Sequence, residues 1–123
     1  SNGVDACLTG ACWPNKTTEA NHCISYYTIE LKKQTIETGA DRTYQDWAFG
    51  CDICQDVCPW NRFSTPHTEP LFQPHDDLLS LNKNEWANLS DEYFQELFKK
   101  SAVKRTKKSG LTRNIDFVQK HKK

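Results

Sequence analysis

The sequence predicts a mainly α fold with little sheet, and three observations carry that expectation. No segment of the 123 residues sustains period-two alternation with β-branched residues. Residues such as Ile24, Tyr27, Thr28 and Leu31 recur instead at helical spacing. Near the C-terminus two helical patterns flank Ser109-Gly110, the signature of an αα-hairpin.

Taken in order, residues from about 18 to 33 read as a helix, with Thr17 or Thr18 placed to cap it and Cys23 beside its inward face. Thr38 to Trp47 is polar around Gly39 and leads through Ala48-Phe49-Gly50 into a cysteine cluster, where Gly50 suits a sharp entry turn. After Trp60 the composition changes. Pro66, Pro70 and Pro74 stand four residues apart, so this segment reads as a linker wrapped on a surface. A short helix is expected near Asn82 to Leu89. Ser90 then caps a helix from Asp91 to Lys100 whose inward side is Phe94, Leu97 and Phe98, with acids at its start and lysines at its end. Ser101 to Lys108 should stay helical until Ser109-Gly110, and Leu111, Ile115 and Val118 resume the pattern beyond. The hairpin so formed has an apolar face with no evident cover in the chain, which makes self-association an expectation. Three units follow: a cysteine-bearing region over 1–62, a proline-containing linker with a short helix over 63–89, and a basic helical hairpin over 90–123.

Sixteen acids balance sixteen bases, so net charge excludes nothing. Placement is more informative, because Lys99 to Lys123 carries ten Lys or Arg against the single acid Asp116. Lys104, Arg105, Lys107, Lys108 and Arg113 would line one side of a groove able to meet phosphates, although such a run also serves to solvate a helix. No apolar run approaches the roughly 20 residues needed to cross a bilayer, and the first residues lack the basic and apolar regions of a signal peptide. A cytoplasmic protein is the expectation.

Six cysteines leave three explanations open: disulfides, a zinc site or an iron-sulfur site. Absence of a secretory signal weakens the first, since cytosolic reductants keep thiols reduced. Cys51-Asp52-Ile53-Cys54-Gln55-Asp56-Val57-Cys58-Pro59 separates successive cysteines by two and then three residues and ends on proline, as bacterial ferredoxin motifs do. In such motifs the last cysteine turns toward a second cluster, and the proline fixes chain direction. Gly3-Val4-Asp5-Ala6-Cys7-Leu8 aligns with Cys54 to Pro59 as a degenerate repeat, with Gly3 in the place of a cysteine.

Four stretches together resemble the double-cluster part of the epoxyqueuosine reductases, which complete queuosine in transfer RNA. They are Asp5 to Ala11, His22 to Glu30, Phe49 to Asn61, and Ser101 to Arg105 with Gly110 to Asn114. The resemblance covers the chain nearly end to end. It implies the C-terminal portion of such a protein: a partial ferredoxin-type [4Fe-4S] domain followed by an α-helical hairpin that begins a HEAT-like repeat region. It further implies that Cys7, Cys23, Cys51 and Cys54 hold one [4Fe-4S] cluster, and that Cys58 reaches toward another whose remaining ligands lie at or before Gly3. The cobalamin-binding domain and the catalytic acid would lie upstream, so this chain would relay electrons and carry out no complete reaction by itself. Transfer RNA would be the partner of the parent protein, met by the basic hairpin. The rival is a non-catalytic nucleic-acid-binding module in which the same four thiolates hold zinc. Cys12 fits no ligand position in the resemblance and is expected to be a small packing thiol. Trp60 is expected either to shield the cluster or to join the core.

Overall fold

The structure, a computed structural model, describes residues 2–33, 36 and 44–120. Five α-helices occur among them: α1 (Asn2–Ala6), α2 (Ile53–Asp56), α3 (Lys83–Ala87), α4 (Asp91–Leu97) and α5 (Lys107–Lys120). Short 3-10 turns and one π turn, Tyr26–Glu30, connect them. The mainly α expectation holds, since the β pairing among the described residues is an isolated antiparallel bridge between Cys12 and Thr18.

The predicted helix over 18–33 is instead broken at Cys23. Its backbone is extended there (φ −75°, ψ 136°), between a 3-10 turn at Ala20–His22 and the helical segment that follows. Neither threonine caps it: Thr18 is drawn into the bridge with Cys12, and the Thr17 N–H is bonded to Asn15 Oδ1. A break at this point lets Cys23 leave the helical register and face the other cysteines. Most of the stretch read as polar around Gly39 lies outside the described residues. Gly50 behaves as expected, with φ of 71°, a left-handed conformation that only glycine adopts at little cost.

The C-terminal helices follow local chemistry closely. Asn82 and Glu85 form a reciprocal capping box on α3, and Ser90 Oγ accepts from the Tyr93 N–H at the start of α4. The predicted stop at Ser109-Gly110 is displaced. The chain turns at Lys107 (φ 63°), and α5 runs uninterrupted through both residues. Gly110 is there for proximity, because a Cβ on it would stand 2.5 Å from Thr106 Oγ1. The proline-containing segment is exposed as expected, with Leu71 and Phe72 largely in solvent. Trp60 is exposed too, at 78%, so it neither shields the cysteines nor joins the core.

Two apolar clusters form the core, and α5 belongs to both. Leu111 and Ile115 pack with Leu89, Phe94, Leu97 and Phe98. Phe117 and Val118 pack with Ile24 and Tyr44 from the cysteine-bearing region. The face of the hairpin expected to lie bare is therefore covered in part by the first unit. An apolar groove of about 820 Å³ stays open beside Leu78, Leu81, Trp86 and Ile115.

Candidate metal centre

The centre is assembled from three short pieces of chain. α1 and α2, the two copies of the internal repeat, pack on each other, and a Cβ at Gly3 would lie 3.7 Å from the Cys54 Cβ. Cys7 follows α1 directly. Its chain then curls through Gly10 (φ 67°), which aims backbone donors back at the sulfur. The Ala11 N–H donates to Cys7 Sγ at 3.3 Å, and Thr9 Oγ1 lies 3.8 Å away. Partial burial alone would push this thiol up. The N–H groups of Thr9, Ala11 and Cys12, with the Thr9 hydroxyl, more than offset burial and bring it down to about 7. A sulfur so surrounded is prepared to be a thiolate, the form that binds metal.

Cys51 lies in the same neighbourhood. Burial pushes its thiol up, the Ile53 N–H pulls it down, and the sulfurs of Cys23, Cys54 and Cys7 raise it further. All four sulfurs implied by the resemblance are thus electrostatic neighbours. Cys58 stands past the end of α2, immediately before the 3-10 turn that Pro59 opens. Cys12, expected to be a packing thiol, lies within electrostatic reach of three of these sulfurs. Burial raises its thiol, and so do its hydrogen bond with Cys7 and the charges of Cys7, Cys54 and Cys23. Among the described residues no three His, Cys, Asp or Glu side chains gather closely enough to hold a single ion. The donors available are thiols that act on one another electrostatically, Cys7 among them with its thiol brought down to about 7. That chemistry suits an iron-sulfur centre.

What fixes this arrangement is a polar frame reaching in from α5. Thr28, fully buried, donates its hydroxyl to the Ile24 carbonyl at 2.8 Å and accepts the Gly50 N–H at 2.9 Å. Asn114, also fully buried, donates to the carbonyls of Thr28 at 2.7 Å and Ala48 at 2.9 Å. Thr106 Oγ1 donates to the same Thr28 carbonyl at 2.8 Å. The segments entering Cys51 and leaving Cys23 are thereby tied to one helix. Arg113 completes the frame. Its five N–H bonds reach the carbonyls of Tyr27, Leu31 and Lys33 and, twice, Asn114 Oδ1, at 2.7 to 3.0 Å. Every hydrogen-bonding site of the Asn114 amide is also used, so the pair is saturated.

The residues read as meeting phosphate divide accordingly. Arg113 spends all its donors inside the protein. Arg105 is ion-paired with Glu30 at 2.8 Å and Lys108 with Asp91 at 3.3 Å, while Lys107 is exposed and Lys104 half-buried. Thr28 and Asn114 were legible in principle, because a polar residue on an apolar stripe of a helix implies a buried partner.

The chain is similar to known proteins in sequence and in fold. Residues 2–61 match the family model of the 4Fe-4S double cluster binding domain. An epoxyqueuosine reductase of Cellulophaga algicola is 57% identical over 116 residues, covering 94% of this chain and 38% of that protein. The epoxyqueuosine reductase structure from Bacillus subtilis superposes with a TM-score of 0.83 at 27% identity, covering 98% of this chain and 32% of that one. A crystal structure of an epoxyqueuosine reductase with an epoxyqueuosine-modified tRNA-Tyr stem loop gives 0.81 at 26% identity, covering 97% and 31%. The chain thus spans well under half the length of these relatives.

Proposed function

Since the chain belongs with the epoxyqueuosine reductases over 94% of its length, we propose that it is the iron-sulfur portion of such an oxidoreductase, relaying electrons to a cobalamin held upstream for the reduction of epoxyqueuosine to queuosine in tRNA. The observation that supports this most is the shared neighbourhood of Cys7, Cys23, Cys51 and Cys54 inside a segment matching a double-cluster domain. These four thiolates would hold one [4Fe-4S] cluster, and Cys58 would reach toward another. When bound, a cluster supplies single electrons at a potential set by its thiolates, nearby N–H groups and burial. This chain's own part is to present the thiolates, to stabilise Cys7 as one through three backbone donors, and to hold Cys23 and Cys51 in register through Thr28 and Asn114. The catalytic acid and the epoxide-binding site would come from elsewhere in a longer protein. Lys104, Arg105, Lys107, Lys108 and Arg113 would serve tRNA binding unequally, Arg113 by shaping the surface and the others by meeting phosphate. The apolar groove beside Trp86 would be covered by the rest of that protein or by a second copy.

Anaerobic purification tests the reading directly. The sample is expected to be brown, to bleach on adding dithionite, and to hold about four irons per chain, rising to about eight when the chain is lengthened to that of its relatives. A colourless protein with one zinc per chain would instead establish the zinc-stabilised module.

A further inference from the structure

A cavity of about 650 Å³ lies between the end of the π turn and the first turns of α5, apart from the cysteines. Its lining includes Lys32, Lys33, Lys107 and Arg113, with the hydroxyls of Ser109 and Thr112. Among the described residues of its wall the acid is Asp116, and it is engaged by Lys120 at 3.0 Å. The Arg113 guanidinium is bonded only to neutral oxygens, those of three carbonyls and one amide, so no carboxylate in those contacts cancels its charge. A concave site with four cations, two hydroxyls and a fixed, uncancelled guanidinium favours an anion with several acceptor oxygens. The two lysines at 32 and 33 fall within what the sequence presents as a plain helix, and only the fold brings them to the basic hairpin.

We propose that this cavity seats a backbone phosphate of the RNA partner, with Lys32, Lys33 and Lys107 making the contacts and Arg113 supplying a fixed positive field. The inference rests on the RNA-directed function above and narrows it to one site. Seating the phosphate here would brace the RNA against α5, the helix that also positions the cysteines.

The test is binding of a fluorescently labelled RNA stem loop by the intact chain across a salt series. The triple variant Lys32→Gln/Lys33→Gln/Lys107→Gln changes exposed residues, and its fold is checked by circular dichroism. Lys99→Gln/Lys100→Gln serves as a control outside the cavity. The triple variant is expected to lose affinity by about tenfold or more and to flatten the dependence of log K on log salt by about one unit, as loss of one phosphate contact requires, with the control nearly unchanged. Equal losses in the two variants would overturn the proposal, as would wild-type affinity in the triple variant. Binding of inorganic phosphate without RNA affinity would also overturn it, assigning the cavity to a free anion. Iron content measured on the same samples separates the two readings: a chain that forms its iron centre but ignores RNA rejects the cavity alone, and one that binds RNA through the cavity without iron rejects the electron-transfer role alone.

Discussion

The region before residue 62 and the region after residue 77 are stabilised in different ways, and the contrast shows where an inorganic centre is needed. The later region has Leu89, Phe94, Leu97, Phe98, Leu111 and Ile115 in one apolar cluster, beside helices with capping side chains. It follows the ordinary rule that apolar burial offsets chain entropy. In the earlier region α1 and α2 have five and four residues, and neither contains a buried residue. Among its described residues the buried apolar side chains are Ala11, Ile24 and Tyr44. What ties it to α5 is a small apolar cluster of Ile24 and Tyr44 with Phe117 and Val118, together with carbonyl and hydroxyl contacts. Metal binding to such a region is folding free energy.

The largest expected effect breaks the contrast from the metal side. Removing iron by chelation, or replacing Cys51 and Cys54 together by Ser, should deprotect the amides of residues 44–58 in hydrogen exchange while those of α4 and α5 stay protected. Uniform loss across both regions would show that they fold as one unit. Phe94→Ala acts from the other side, since Phe94 is only 1% exposed. It should cost about 3–5 kcal/mol in denaturant unfolding, and the folded fraction should keep its iron.

Asn114→Ala sharpens the comparison, because Asn114 joins the two regions. Leaving the Ala48 carbonyl unpaired should cost about 2–3 kcal/mol, and the iron centre should be lost to chelator faster than in the Phe94→Ala protein at matched stability. Equal rates would reduce the polar frame to ordinary packing. Gly110→Ala has the smallest effect and the most telling sign. An exposed helical Gly→Ala change stabilises by about 1 kcal/mol, whereas here the new Cβ meets Thr106 Oγ1, itself bonded to the Thr28 carbonyl. A loss of about 1–2 kcal/mol is expected by crowding; a gain would show that Gly110 is merely a weak helix former.

The later region was readable because its signals are local. Asn82 with Glu85, and Ser90 with the acids after it, specify helix starts within a few residues, and the spacing of Phe94, Leu97 and Phe98 specifies the inward face. The earlier region was readable for composition but not for path. Cys51, Cys54 and Cys58 announce themselves by spacing, yet the extended backbone at Cys23 comes from long-range demands: Thr28 must meet Gly50 and Asn114, partners 22 and 86 residues away. The same distance hid Arg113. Its sequence context suggests a free cation, and only the fold shows the three carbonyls it closes. Gly110 misled for a related reason, since a glycine that ends a helix and one that admits a neighbour look alike in sequence. The neighbourhood of Cys12 was hidden too, because the curl after Cys7 brings it within electrostatic reach of Cys23 and Cys54, which are distant along the chain.

Which thiols hold iron is tested most directly by single Cys→Ser replacements, with iron and sulfide counted per chain after anaerobic reconstitution. The Ser variants at positions 7, 23, 51 and 54 should each fall well below the wild-type content of about four irons, and those at 12 and 58 should retain it. Full iron in the Cys51→Ser or Cys23→Ser protein, or its loss on replacing Cys58 alone, would contradict the assignment.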